Sequence, residues 1–138
     1  MTISVTLKNF LTEQGIDYDV LPHRHSDTSI NAASSAHIPA AKLAKSVILE
    51  DENGYVMAVI PANHHVKIAQ VNKFLGRKMG LATEPEIRSL FSDCEIGAIP
   101  PVGEAFGIDT IVDERLDECA DIYMEAGDHE DFIHLNSS

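Results

Sequence analysis

The sequence has few cysteines and no long apolar run. No segment contains 18 consecutive apolar residues, which excludes a membrane-spanning helix, and we expect no membrane partner. The first residues lack the basic start and apolar stretch of a secretory signal, so we expect a cytoplasmic location. The two cysteines, Cys94 and Cys119, are then expected to stay reduced, and neither lies in a CxxC pair of the kind that holds structural zinc.

Basic residues are also scarce, because 10 lysines and arginines stand against 22 acidic residues and give a formal net charge of −12. Such a charge argues against binding to a phosphate backbone. The charge is uneven, however: residues 1–78 hold seven acids and eight bases, a net of +1, whereas residues 79–138 hold fifteen acids and two bases, a net of −13.

One segment of the first part is purely basic, since no acidic residue lies between Gly54 and Thr83. Four basic residues fall within it, namely Lys67, Lys73, Arg77 and Lys78. They form either a solvated helix face or a small patch that contacts a few phosphates. The charge therefore excludes general nucleic-acid binding but leaves room for local contact.

A length of 138 residues without internal repeats or linkers predicts a single domain over residues 1–138. Hydrophobic periodicity predicts helices over 3–14, 29–36, 40–44, 64–75 and 84–91, and strands over 18–21, 46–49, 55–60, 110–112, 122–124 and 132–135. Asn53-Gly54 predicts a hairpin turn between two apolar strands that suit the centre of a sheet. This order predicts a mixed α+β domain rather than a doubly wound parallel sheet.

The least ordinary segment is the loop Gly97–Gly103, Gly-Ala-Ile-Pro-Pro-Val-Gly. Its prolines fix φ, and its flanking glycines permit positive φ or close backbone approach to a ligand. The loop is either a rigid connector or an anion or oxyanion pocket. Lys45, directly before an apolar run, is either a lysine that snorkels from a strand end or a cation that faces a phosphate or a carbonyl oxygen.

Other chemistries lack support in the sequence. His64 and His65 are adjacent and point about 100° apart on a helix, and no HExxH signature is present, so we expect no metal and no other cofactor. No GxSxG elbow supports serine hydrolysis. Cys94 stands among acidic residues, which disfavour a thiolate nucleophile.

Several segments occur in an order that resembles the YbaK/ProX-type aminoacyl-tRNA deacylase family. They are Lys45-Ser46-Val47-Ile48-Leu49, Asn53-Gly54-Tyr55, residues 58–62 (AVIPA), residues 91–103 (FSDCEIGAIPPVG) and residues 126–130 (AGDHE). The resemblance spans Leu7 to Leu135. It implies a mixed α/β fold with a curved, barrel-like sheet flanked by helices, and the removal of wrongly attached amino acids from tRNA.

The resemblance also implies site residues. The family's lysine matches Lys45, with Lys42 as the neighbour that might be confused with it, and the loop matches Gly97, Pro101 and Gly103. It implies a substrate-binding set of His23, Thr28, Gly97, Ala98, Ile99, Pro101, Gly103, Gly127, Asp128 and His129. Pro100 stands where many relatives carry a serine or threonine hydroxyl, which leaves substrate preference open.

These residues suggest a trans-editing hydrolase that cleaves the ester between an amino acid and the terminal ribose of tRNA. In this hypothesis Lys45 holds the phosphate or the ester carbonyl, and N–H groups near Gly97–Ile99 stabilise the oxyanion. The attacking group is either a positioned water or a group on the substrate itself. The expected partners are the acceptor end of aminoacyl-tRNA, touched by the basic segment, and an aminoacyl-tRNA synthetase. Two alternatives remain: a non-catalytic binding module, and an enzyme for small esters that does not use tRNA.

Overall fold

A computed structural model describes residues 3–23 and 38–136 of the chain. Within these residues the helices are α1 (Val5–Glu13), α2 (Ile68–Leu75) and α3 (Glu84–Leu90). The strands are β1 (Asp19–Pro22), β2 (Leu43–Asp51), β3 (Gly54–Pro61), β4 (Gly80–Leu81), β5 (Asp109–Val112), β6 (Asp121–Glu125) and β7 (Asp131–Asn136). Short 3-10 turns cover Ala40–Lys42, Gly103–Phe106 and Glu114–Glu118.

The strands form one sheet in the order β1-β7-β6-β2-β3-β5, with β4 added beside β2. The sheet is mixed, because β2 runs antiparallel to β3 and β4 but parallel to β6, and β3 runs parallel to β5. The predicted fold class is thereby confirmed, although the sheet is not closed into a barrel. Strand β2 lies at its centre and pairs with β6 through Leu43 and Ala44 and with β4 through Leu49 and Glu50.

The hairpin β2–β3 forms where the sequence predicts it. The turn is closed by the Asp51 side chain, whose Oδ1 accepts the Asn53 N–H at 2.9 Å. Side chains of the two strands alternate between two apolar clusters. Ala44 and Ile48 join the cluster on one face, whereas Leu49 joins the cluster on the other. Burial on both faces explains why these strands are almost wholly apolar.

The helices cover the two faces of this sheet. Helix α1 begins at the N-cap Ser4 and buries Leu7 and Leu11 against a cluster that includes residues of β6 and β7. Helix α2 packs its apolar stripe of Ile68, Val71 and Leu75 on the cluster of Leu49. Helix α3 opens with a capping box between Thr83 and Glu86, as its sequence indicates. None of the helices within residues 3–23 and 38–136 is long and apolar enough to cross a bilayer.

Two predicted helices need correction. The helix expected over 64–75 begins at Ile68, because Lys67 has an extended backbone and is the N-cap, and the His64 N–H closes a turn with the Pro61 carbonyl. The helix expected over 40–44 is only a 3-10 turn, since Leu43 already pairs with Tyr123 of β6. The helix expected over 29–36 lies outside the described residues.

Candidate functional site

Lys45 lies inside strand β2 rather than at its start, just beyond the residues that pair with β6. It is half-buried, and this burial lowers the pKa of its ammonium group. Alternation along the strand places Lys45 on the same face as Leu43, whose side chain packs with Phe132 of β7. The side chain of Ser46 therefore points to the opposite face.

The loop Gly97–Gly103 meets β2 next to Lys45. The Ser46 hydroxyl donates to the Ile99 carbonyl at 3.0 Å, so the loop is fastened to the face opposite Lys45. Ala98, Ile99 and Pro101 are buried, whereas Gly97 is exposed. The Ala98 N–H already donates to the Glu95 carbonyl at 3.1 Å. This bond competes with any role of that N–H group as an oxyanion donor.

The two glycines of the loop serve different purposes. Gly97 adopts φ of 87°, a left-handed conformation that glycine tolerates best. Gly103 has no positive φ but sits against its neighbours: a Cβ there would lie 1.9 Å from Thr110 Oγ1 and 2.8 Å from the Ile108 carbonyl oxygen. Gly97 thus has the positive φ that the sequence permitted, whereas the close approach at Gly103 is to Thr110 and the Ile108 carbonyl.

Residues Gly127–His129 form the buried turn between β6 and β7. Asp128 stabilises it, since its Oδ1 accepts the N–H groups of Glu130 at 3.0 Å and Asp131 at 2.9 Å. The Gly127 carbonyl accepts the Glu95 N–H at 2.8 Å, which joins the turn to the start of the loop. His129 adopts φ of 58°, the single positive φ outside glycine among the described residues.

His129 joins a cluster of buried titratable groups. Its Nε2 lies 2.6 Å from the Ile96 carbonyl oxygen, and its Nδ1 lies 3.3 Å from Oε2 of Glu125. His23 reaches the same carboxylate from β1, with Nε2 3.5 Å from Oε1. The His23 ring also packs on Phe132, with ring centroids 4.2 Å apart. The structure therefore brings together His23 and His129 on the face of the sheet that carries Lys45.

Glu125 is the member of this cluster that sequence reasoning missed. It is only 3% exposed and pairs with Phe132 in the ladder between β6 and β7. The register of Leu43 with Tyr123 places Glu125 on the same face as Lys45, two residues further along each strand. The available signal was an acidic residue that ends an otherwise largely apolar strand, directly before the Ala126-Gly127 turn.

The basic segment is only partly assembled into one surface. Lys67, Lys73 and Lys78 are exposed on or beside α2, and Phe74 on the same helix is 78% exposed. Arg77 does not join them, because its guanidinium binds both carboxylate oxygens of Asp51, with Nε 2.7 Å from Oδ2. We call Lys67, Lys73, Phe74 and Lys78 the α2 surface. The apolar side of helix α2, opposite these residues, packs on the face of β2 that also carries Lys45.

The remaining predicted groups are placed as follows. Thr28 lies outside the described residues. Cys94 is half-buried, and this burial, together with the neighbouring Asp93, raises the pKa of its thiol to about 12. The thiolate is therefore disfavoured both by burial and by the acidic neighbour that the sequence indicated. An open groove of about 610 Å³ runs past the loop and is lined by residues that include Arg88, Ile96 and His129.

The chain matches one family model and several solved structures, but no curated sequence. A profile of the family described as "Aminoacyl-tRNA editing domain" matches residues 23–138. A comparison with curated protein sequences finds no significant match. Among solved structures, a protein proposed to be a trans-editing enzyme for prolyl-tRNA synthetase superposes with a TM-score of 0.84 at 19% identity, covering 96% of this chain and 85% of that one.

Two further structures share the fold. The hypothetical protein APE2540 superposes with a TM-score of 0.83 at 21% identity, covering 95% of this chain and 88% of that one. A larger protein from Marinobacter aquaeolei, described as a proposed signal transduction protein, superposes with a TM-score of 0.74 at 21% identity, covering 98% of this chain but 27% of that one. At these identities the likeness shows the fold alone.

Proposed function

The chain belongs to the family of aminoacyl-tRNA editing domains, as its motifs indicated, and on that premise we propose that it hydrolyses mischarged aminoacyl-tRNA in trans. The substrate is the ester between an amino acid and the terminal ribose. Water attacks the ester carbonyl carbon, the bond to the ribose oxygen breaks, and that oxygen takes up a proton. The products are the free amino acid and the uncharged tRNA.

The observation that carries this proposal is the position of Lys45. Lys45 is half-buried and lies on the face of the sheet that also holds Glu125, His23 and His129. A cation with reduced hydration acts more strongly on nearby charge than one in bulk water. We assign to it the phosphate next to the ester or the carbonyl oxygen that gains negative charge in the transition state.

The loop Gly97–Gly103 and the turn Gly127–His129 are assigned to hold the substrate. The loop is fixed to Ser46 on one side and to Gly127, through Glu95, on the other. Such a framework suits catalysis by positioning, in which fixed groups rather than a strong base lower the barrier. The oxyanion contribution of the loop rests on N–H groups other than that of Ala98, which the Glu95 carbonyl already engages.

The proposed nucleic-acid partner is the acceptor end of tRNA. The α2 surface carries three exposed lysines on the side of the sheet that bears Lys45, and no acidic residue lies between Gly54 and Thr83. Three lysines allow contact with a few phosphates at most. An aminoacyl-tRNA synthetase, above all prolyl-tRNA synthetase, is the proposed protein partner, and the cytoplasm is the proposed location.

The decisive experiment incubates the protein with a panel of mischarged tRNAs and with free aminoacyl esters. We expect at least one mischarged tRNA to be deacylated, and Lys45→Met to lower kcat by about 100-fold or more, as expected for loss of one oxyanion-stabilising group. Methionine retains the apolar stem of the side chain, so the fold should persist. Lys42→Met is the matched control, since Lys42 is exposed three residues earlier and should be dispensable.

Each other outcome selects an alternative. Full activity of Lys45→Met would refute the assignment of Lys45. Hydrolysis of free esters but of no charged tRNA would indicate an enzyme for small esters. Saturable binding of aminoacyl-tRNA without turnover would indicate a binding module.

A further inference from the structure

We propose that Glu125 is a positioning residue of the hydrolysis, which acts through His129 to set the loop that begins at Ile96. This inference rests on the proposed function. Glu125 is buried, and the contacts described above join its carboxylate to His23 and His129.

The hydrogen bond to Ile96 requires a proton on Nε2 of His129. This nitrogen lies 2.6 Å from the Ile96 carbonyl oxygen, and a carbonyl oxygen can only accept. Nε2 must therefore carry a hydrogen and donate it. The ring thereby holds the peptide directly before Gly97, at the entry to the Gly97–Gly103 loop.

The other ring nitrogen, Nδ1, faces Oε2 of Glu125 at 3.3 Å. If the ring carried its only proton on Nε2 and Glu125 were a bare carboxylate, two lone pairs would face each other and repel. The contact is attractive only when one more proton lies on Nδ1 or on Oε2. Glu125 thus selects the state and the orientation of the ring in which Nε2 points to Ile96.

The positioning role of Glu125 is distinct from the stability of the Gly127–His129 turn. The turn is held by Asp128, which accepts two backbone N–H groups, and by the bond between Glu95 and Gly127. None of these bonds involves Glu125. A carboxylate that is only 3% exposed carries a desolvation cost, which an apolar side chain at this strand position would avoid.

The backbone of His129 also points to a positioning role. Its φ of 58° is sparsely populated outside glycine. The conformation directs the ring between Glu125 and Ile96, which lie on separate elements. Such a backbone, combined with one hydrogen bond and one ion-pair contact of the ring, is typical of a residue that fixes the geometry of a site.

Within the described residues, a second histidine approaches the Glu125 carboxylate. His23 approaches Oε1 from the end of β1, and Lys45 lies on the same face of β2. His23 is thus a polar neighbour that moderates the cost of the buried carboxylate. The contact described from Glu125 toward the loop runs through His129, whose other ring nitrogen bonds Ile96.

The experiment compares Glu125→Met with Glu125→Gln in steady-state deacylation. Methionine fills the space without a polar contact, so the ring loses its partner, and we expect kcat to fall by about 10- to 100-fold while KM changes by less than about threefold. The amide of glutamine can donate to Nδ1 of the neutral ring, so Glu125→Gln should stay within about threefold of the wild type. Val56→Ala, in the apolar cluster beneath α2, controls for lost stability, since that cluster holds no residue of the loop or of the Gly127–His129 turn.

A double-mutant cycle tests whether Glu125 acts through His129. His129→Asn keeps a residue that tolerates positive φ but removes the imidazole. In that background Glu125→Met should cause no further loss of kcat. Additive losses would overturn the proposal, and so would wild-type kcat in Glu125→Met. A 100-fold loss in Glu125→Gln would also overturn it, because the carboxylate would then take part in the chemistry itself.

A spectroscopic measurement is independent of turnover. In the wild type the Nε2 proton of His129 should give an exchange-protected NMR signal, which Glu125→Gln keeps and Glu125→Met loses, together with a shift of the Gly97 amide signal. Unchanged spectra in Glu125→Met would refute the positioning role. If the wild type deacylates no tRNA, the proposed function fails, whereas the spectra still decide whether Glu125 sets the loop.

Discussion

The buried region where the Gly97–Gly103 loop meets the Gly127–His129 turn and the exposed α2 surface both carry charged groups, in opposite surroundings. In the buried region Glu125 and His129 are 3% exposed, and each contact has a defined partner and direction. On the α2 surface Lys73 and Lys78 stand in solvent. Buried charge is costly and specifies geometry, whereas exposed charge is cheap and adds long-range attraction. The proposed function places catalysis in the first region and tRNA contact in the second.

The largest effect on stability is expected when Gly103, in the buried region, is replaced by alanine. A Cβ in Gly103→Ala would overlap Thr110 Oγ1 and press on the Ile108 carbonyl, which is backbone and cannot rotate away. We expect the free energy of unfolding to fall by about 3 kcal/mol, at the upper end of overpacking costs, and deacylation to fall with it. Urea unfolding and a turnover assay measure both effects.

Gly80→Ala is the matched control for this prediction. Gly80 lies in β4, has no atom within 4 Å of an added Cβ and shows no positive φ. Its free energy of unfolding should change by less than about 0.5 kcal/mol. In Gly103→Ala, the additional change Thr110→Ala should recover only part of the loss, because the Ile108 carbonyl remains. Equal stability of Gly103→Ala and Gly80→Ala would contradict the close packing of the loop.

The second prediction concerns the α2 surface. Reversing two charges in Lys73→Glu/Lys78→Glu should raise KM for charged tRNA by roughly five- to tenfold and leave kcat unchanged, since a few phosphate contacts are lost. Hydrolysis of a free aminoacyl ester, which lacks the phosphates, should be unaffected. Arg77 is left intact, because its ion pair with Asp51 would otherwise be broken.

Lys8→Glu is the control for the general effect of charge, since Lys8 is exposed on α1. It should change KM by much less than the double variant does. The dependence of log KM on log salt concentration should also become shallower in the double variant, by roughly 1.5 to 2. Wild-type KM and salt dependence in Lys73→Glu/Lys78→Glu would show that the α2 surface is only a solvated face of the protein.

The two regions also differ in how far the sequence predicts them. Local signals were sufficient where the cause is local: Asn53-Gly54 predicted the hairpin turn, and the helix predicted over 84–91 is found as α3. The resemblance pointed to Lys45 and to the loop because their residue types and order are distinctive. The mixed sheet followed from the order of the predicted elements.

What the sequence could not predict depends on contacts between distant segments. The role of Glu125 rests on the register of β6 with β2 and β7, which brings an acidic residue beneath His129. Arg77 looked like part of a basic stripe because its partner, Asp51, is 26 residues away. Such pairings are decided by the fold as a whole, and composition or periodicity does not encode them.

The smallest expected effect is on the pH dependence of stability, which should have opposite signs in the buried turn and in the hairpin beneath α2. In the turn, the hydrogen bond with Asp128 raises the pKa of the Asp131 carboxyl to about 6 from its usual 3.8. The folded state then holds this proton more tightly than the unfolded state. Its stabilising contribution is complete below about pH 4 and is lost as the pH rises through about 6.

The hairpin should behave in the reverse way, because the Arg77 guanidinium lowers the pKa of Asp51 to about 2. That contribution is present above about pH 4 and is lost as the pH falls toward 2. Urea unfolding between about pH 2 and pH 7 separates the two regions. Asp131→Asn should flatten the stability profile between about pH 4 and pH 6, whereas Asp51→Asn should flatten it below about pH 4. If Asp131→Asn leaves the stability profile between about pH 4 and pH 6 unchanged, the carboxyls of Asp128 and Asp131 share no proton. The contrast between the two regions would then lose this support.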